Sequence, residues 1–204
     1  MKISVTLRFV RIPPGDDGAT ALALVSTIRH DGHGGVADDF AEDAAVVDWV
    51  RVRWPGPAAA SSQGLPDSMR LLRRAARALF AMSVRPAPPS RADTARTMAD
   101  STALGILNDA VDALDLEVGA EIRDDRLVPV RTTARTDPDT VVRGLVALAC
   151  MDFLTGPAAP KLRSCQAPRC VRYFIQAHGR QEWCKESCGN RARAARFRAR
   201  RKPV

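Results

Sequence analysis

The segment CQAPRCVRYFIQAHGRQEWCKESCGNR, Cys165 to Arg191, decides how the C-terminal part of this chain folds. It holds Cys165-x4-Cys170, a thirteen-residue spacer and Cys184-x3-Cys188. Two close cysteine pairs on either side of a hairpin-length segment form a tetrahedral thiolate set suited to zinc. Disulfides are disfavoured in a cytosolic chain. An iron–sulfur cluster also takes four cysteines, but the small polar loop offers it no redox context. Four thiolates leave no coordination position for water, so the expected Zn2+ is structural, one per chain. His178, in the turn QAHGR, is a weaker ligand than any of the four cysteines. So short a segment cannot build its own core, and metal binding is expected to supply its folding free energy, roughly 10–16 kcal/mol. Tyr173, Phe174 and Trp183 are expected to pack around the site and exclude water.

The same cysteines open a basic helix. A helix starting at Cys188 places thiolate charge at its positive end, with Gly189 allowing close approach to the metal loop and Asn190 as a cap. Ala192, Ala195 and Ala199 then share one face for packing on the hairpin. Arg193, Arg196 and Arg200 share another, with Arg191 and Arg198 beside them and Arg201 following. From Lys161 to Val204 the chain carries 13 Lys/Arg against two acids, whereas residues 1–160 carry 18 against 21. The net +8 is thus concentrated at one end, which implies a densely anionic partner. Asn190, Arg191, Arg193, Arg196, Arg198, Arg200 and Arg201 are the candidate DNA contacts, able to fork onto phosphate or guanine edges. A solvated basic tail is the blander reading. A second functional reading is a clamp for RNA or a protein partner, since few Asn or Gln stand among the arginines to read adenine. One short helix reads few base pairs, so useful specificity predicts a homodimer. No nucleophile–base pair stands out, so an enzyme is not expected.

The remaining residues read as α+β, mainly helical. SVTLRFVRI (residues 4–12) alternates as a strand, and the apolar run at residues 19–28 is open between strand and helix. Helices are expected over residues 38–54, with Phe40, Ala44, Val47 and Trp54 inward, and over residues 66–84. In the second, Leu72, Ala75, Leu79 and Met82 face the core and Arg70, Arg73, Arg74 and Arg77 form a solvated face. A third helix is expected from about residue 95 to 116, on Leu104, Leu107, Val111 and Leu114. Residues 117–132 read as a hairpin around Asp124 and Asp125, with Pro129 confining the second strand to an edge. Asp137 as N-cap and Pro138 in the first turn start a fourth helix to Thr155, apolar nearly all round and therefore central, with Cys150 as a buried small hydrophobe. His30 and His33, in the turn RHDGHGG, lack an obvious third ligand. No stretch is long and apolar enough for a membrane span or arranged as a signal peptide, so the cytoplasm is the expected compartment.

Cys165-x4-Cys170, Tyr173-Phe174, Trp183-Cys184 and Cys188-Gly189-Asn190-Arg191 resemble the CGNR zinc finger of bacterial proteins. In these the finger follows an ABATE domain, described as a stress-induced transcription regulator. The stretch TALALVSTIRHDG (residues 20–32), the Leu107-Asn108 pair and the order of helices, hairpin and final apolar helix extend the resemblance over most of the chain. It departs from the family at Ser26-Thr27 in place of Asn-Thr, at Gln176 in place of Asp, and at Gln181-Glu182 in place of a basic pair. The resemblance implies a regulatory domain over residues 1–156 and a zinc-binding hairpin-and-helix module, treble-clef-like, over residues 161–204. It implies transcriptional regulation through DNA, with the first domain sensing a small-molecule effector or dimerising.

Overall fold

The apolar run at residues 19–28 divides into both of its possible states: α1 spans Ala19–Val25 and β2 spans Ile28–His30. Gly18 sets the start of α1. It has φ 92°, and a Cβ there would stand 2.5 Å from the Phe153 ring. A left-handed residue pressed onto an aromatic ring has to be glycine. The structure, a computed structural model, describes residues 10–12, 15, 18–54, 64–95 and 98–201. Of the predicted first strand only β1 (Val10–Ile12) is described, and the break after Trp54 lies largely outside the described residues.

β2 pairs antiparallel with β3 (Val36–Asp38) across a loop organised by Asp31. The Asp31 Oδ1 accepts from the backbone N–H groups of His33, Gly34 and Gly35 at 2.8, 3.0 and 2.9 Å. The predicted helix over residues 38–54 is shorter, α2 at Asp43–Arg53, because residues 36–38 are taken into β3. Its inward residues are Val46 and Val50, four apart, while Ala44 is exposed. Phe40 is buried from the loop before the helix and meets Trp49 edge-on at 5.5 Å.

α3 (Leu65–Ser83) is the central helix, packed against α1, α2, α4 (Asp100–Asp112) and α5 (Pro138–Thr155). Leu72, Ala75 and Leu79 are buried as predicted, and Met82 is at the surface. The four-arginine face is solvated at Arg74 and in part at Arg70, but not at the other two. Arg73 and Arg77 are each only 5% exposed and are held by acids from other parts of the chain. Arg73 forks onto Asp38 and donates to Thr27 Oγ1 at 3.1 Å. In α4 the buried line is Ala103, Leu107 and Ala110, continued by Leu114 just past its end, whereas Leu104 is exposed. Full burial of Phe80, Leu107 or Phe40 contributes about 1.5–3 kcal/mol each.

The predicted hairpin is β4 (Leu116–Arg123) and β5 (Arg126–Thr133), closed by Asp124 and Asp125 at φ 48° and 57°, a two-residue turn whose twist suits the strands. β5 is not an edge: the sheet order is β1-β5-β4. Among the described residues β1 pairs with Arg131, Thr132 and Thr133, so Pro129 lies outside that pairing and does not keep β5 at the edge. α5 begins as predicted, with the Asp137 carboxylate accepting from Thr140 N–H at 2.9 Å, and Cys150 is fully buried within it. β6 (Leu162–Ser164), β7 (Tyr173–Ile175) and α6 (Glu186–Arg200) follow, completing an α+β fold. Among the described residues no helix is long and apolar enough to cross a membrane.

Candidate metal centre and basic helix

Two local structures bring the four cysteines together. β6 and β7 pair antiparallel with Ser164 opposite Tyr173, and Cys165 N–H donates to Arg172 carbonyl at 2.9 Å, extending that hairpin to the first cysteine. Between the strands the chain turns at Ala167–Cys170, where Cys170 N–H reaches Ala167 carbonyl at 3.0 Å and Arg169 takes φ 64°. Cys184 lies in the loop before α6, and Cys188 in that helix's first turn, its N–H on Lys185 carbonyl at 3.0 Å.

The four Sγ atoms all lie within 4.8 Å of one another. Cys170 and Cys184 are 3.7 Å apart at sulfur, and Cys184 and Cys188 are 3.5 Å apart. A tetrahedral ion bound at about 2.3 Å by four sulfurs would separate them by about 3.8 Å. The donor set therefore fits one structural Zn2+, and thiolate donors favour zinc over hard cations. Hydrogen bonds from Cys165 and Cys184 pull the Cys170 thiol down to about 3, and hydrogen bonds with Cys165 and Cys170, then burial, push Cys184 up. A dication would take all four as thiolates.

The surroundings differ from expectation in three places. Phe174 and Trp183 do pack on the cysteines, but Tyr173 faces the other way, into the core of the body. Strand alternation sends adjacent residues to opposite faces, so Tyr173 and Phe174 cannot both cover the metal. The helix begins at Glu186, before Cys188, so Asn190 is inside it rather than capping it, and its Oδ1 accepts from Arg193. Gly189 makes room for Trp183: a Cβ there would stand 3.1 Å from the indole Cδ1.

Arg191 sits apart from the other arginines. Its Nη2 lies 3.0 Å from Cys188 Sγ and its Nε donates to Pro168 carbonyl at 3.2 Å, so it ties the second cysteine pair to the turn of the first. Beyond it Ala192 is buried, Ala195 half-buried and Ala199 exposed, so α6 leaves the hairpin after its first turns. Arg193, Arg196, Arg198, Arg200 and Arg201 are exposed. Arg196 is 3.6 Å from Glu182, and Arg201 covers the ring of Phe197, which is 57% exposed. Phe197 was missed by sequence reasoning, although it is the single large apolar residue among these arginines. His178 is exposed and outside the cluster, and among the described residues the four cysteines are the metal-competent group. His30 Nδ1 accepts from Gly32 N–H at 3.1 Å; burial, then Arg191, Lys185 and Arg172, hold its pKa below the ordinary value.

A buried network that sequence reasoning missed joins this module to the body. Arg77 donates to Asp93 through Nε and Nη2, both at 2.9 Å, and to the Val25 carbonyl at 2.6 Å. Tyr173 OH donates to the same Asp93 at 2.6 Å, and Ser90 Oγ donates to Val171 carbonyl at 2.8 Å. Burial first, then the Asp93 charge, push the Tyr173 hydroxyl well above its ordinary pKa. Beside the network a cavity of about 380 Å3 is lined by Ile28, Val36, Arg73, Arg74, Arg77 and Met98 among others.

Two family models match parts of the chain. Residues 161–201 match the CGNR zinc finger. Residues 18–157 match the ABATE model, described as "Putative stress-induced transcription regulator". The chain belongs to the ABATE family. Nothing among curated proteins matches it. The ABATE match covers the helices around α3 and the β4–β5 hairpin, and the finger match begins at the strand that carries Leu162 into the same core.

Proposed function

We propose that this ABATE-family protein is a DNA-binding transcription regulator, acting by binding rather than catalysis, in which Cys165, Cys170, Cys184 and Cys188 hold one structural Zn2+. The observation that carries the reading is the seat of α6. Its first turn belongs to the cysteine cluster, and its remaining turns bear Arg193, Arg196, Arg198 and Arg200 exposed. A helix clamped at one end has fixed direction, which major-groove docking requires. Arg191 serves the cluster, and Asn190 and Arg201 flank the contacting face. The cavity beside Arg73 and Arg77 is the seat for a small-molecule effector; Arg74, exposed on its wall, has no ion-pair partner among the described residues and favours an anionic one.

Selection from a random duplex pool on zinc-loaded protein, with a chelator-treated control, tests the reading. One enriched motif, lost with the chelator, supports it. Binding without enrichment refutes sequence-specific regulation. Phe197 favours a second reading, RNA or another single strand, because an exposed ring flanked by arginines is a stacking platform. Tighter binding to single strands than to duplex would select it.

A further inference from the structure

Among the described residues the outer edge of β4 is open. The sheet order β1-β5-β4 leaves β4 without a strand neighbour on that side among the described residues. It is eight residues long, with no proline or bulge to blunt it, and its charges, Glu117, Glu121 and Arg123, all lie on one face. One face of the hairpin is also apolar and bare: Val118, Ile122 and Leu127 are 75%, 76% and 77% exposed.

The register of β4 with β5 determines what the open edge presents. Arg123 and Arg126 flank a two-residue turn and so exchange both backbone hydrogen bonds, after which bonded and non-bonded pairs alternate. Arg123, Glu121, Gly119 and Glu117 therefore turn their N–H and C=O groups toward β5. Val118, Ala120 and Ile122 turn theirs outward. A strand added antiparallel must match outward residues with outward residues, which restricts its register to steps of two.

We propose that the occupant of this edge is β4 of a second copy of the chain, paired antiparallel about a twofold axis at Ala120. In this register Val118 lies opposite Ile122 of the second copy and Ala120 opposite Ala120, giving six backbone hydrogen bonds. On the other face Glu117 lies opposite Arg123 of the second copy, twice by symmetry. The neighbouring registers are worse by charge: centring on Gly119 sets Glu117 against Glu121, and centring on Glu121 sets that residue against itself. Opposite charges directly across a sheet stabilise it and like charges destabilise it. Centring on Ile122 also opposes Glu121 and Arg123 but pairs only the last residues of the strand, so the alignment about Ala120 is the charge-complementary one that uses most of LEVGAEIR. The result is a continuous six-stranded sheet, β1-β5-β4 joined to its own copy, independent of what α6 binds.

Sedimentation velocity on the full zinc-loaded chain tests it, with far-UV circular dichroism to establish that each variant is folded. The wild type is expected to be a dimer. Glu117→Arg and Arg123→Glu, singly, each place two like-charged pairs across the axis and raise the dimer dissociation constant about tenfold or more. The double variant Glu117→Arg/Arg123→Glu restores the opposite charges and the dimer. Ala120→Pro removes the central N–H, whose partner lies outside the hairpin, and gives a folded monomer. A monomeric wild type overturns the proposal. So does a dimer that both single charge changes leave intact, or a double variant no tighter than the singles.

Discussion

Replacing Asp93 by alanine should be among the most damaging single changes available in this chain, although Asp93 lies in a short surface turn. Arg77 is 5% exposed and makes two of its bonds to Asp93, with the Val25 carbonyl, Ser90 Oγ at 3.2 Å and Val171 carbonyl at 3.4 Å as its neutral acceptors. Asp93→Ala strips from a buried guanidinium the only counter-charge it has among the described residues, and it also removes the acceptor of the Tyr173 hydroxyl. Breaking a buried pair by removing one partner costs about 3–5 kcal/mol, against about 0–1 kcal/mol for an exposed pair such as Arg51–Asp48. At roughly 2–4 °C per kcal/mol for a chain of this size, Tm should fall by about 6–20 °C. Calorimetry in a fixed excess of zinc measures it, since bound metal itself raises Tm. Tyr173→Phe removes the donor to Asp93 and the acceptor of Ser90 N–H at 3.3 Å but leaves the ion pair, so it should cost about 1–2 kcal/mol. Arg77→Met/Asp93→Leu, which removes both charges, should recover most of the loss. A drop no larger than that of Asp48→Ala would refute the view that this pair is a buried joint between body and zinc module.

Metal analysis should find one zinc per chain, and Cys184→Ser should abolish stoichiometric binding, read by a colorimetric chelator. Arg191→Ala should weaken zinc retention about 10–100-fold through loss of the contact to Cys188 Sγ, and Arg191→Lys should not rescue it, because an ammonium cannot bridge to Pro168 with the same fork. If α6 contacts DNA phosphates, log K should fall linearly with log[salt], and Arg193→Ala, Arg196→Ala or Arg200→Ala should each reduce that slope by about 0.9, measured by fluorescence anisotropy. For Asp38, burial pushes the carboxyl up, but the Arg73 fork and the Phe40 N–H outweigh it and hold it below its ordinary value. A depressed folded pKa contributes stability that is complete above the unfolded value and lost as pH falls through the folded one. Denaturant midpoints should therefore decline on acidification below about pH 4, and less steeply in Asp38→Asn.

The cysteine spacing was legible because metal coordination needs particular donors at short separations, and the four sulfurs do converge. The β4–β5 hairpin and the start of α5 were legible for the same local reason: two aspartates at positive φ, and Asp137 before Pro138. The arginines of α3 were not. An arginine on a helix reads as solvated unless its partner is visible, and Asp93 and Asp38 lie 16 and 35 residues away in sequence. Nor does sequence say which of Tyr173 and Phe174 faces the metal, since strand alternation fixes only that they differ. The register of β6 against β7, and the partner awaiting Tyr173 in the body, decide it.

That orientation has a mechanical consequence for α6. The helix is attached through Cys188 and Arg191 to the cysteine cluster, and the cluster is attached through Cys165 and Cys170 to the β6–β7 hairpin. The hairpin in turn sends Leu162 and Tyr173 into the core around α3 and ties Val171 and Tyr173 to Ser90 and Asp93. Each link is buried or closed by several bonds, so the path from α3 to the exposed arginines contains no free swivel. Arg77 belongs to this joint and also lines the body's cavity, with Arg73 beside it on the cavity wall. An anion settling against Arg74 would therefore act on the residues that hold the zinc module in place, and a shift of Arg77 would reach α6 through Asp93, Tyr173 and the cysteine cluster. If α6 binds DNA and the cavity an effector, Tyr173→Phe separates the two halves of that path: it should leave DNA affinity in the absence of effector within about twofold, while weakening any change in affinity that an effector produces.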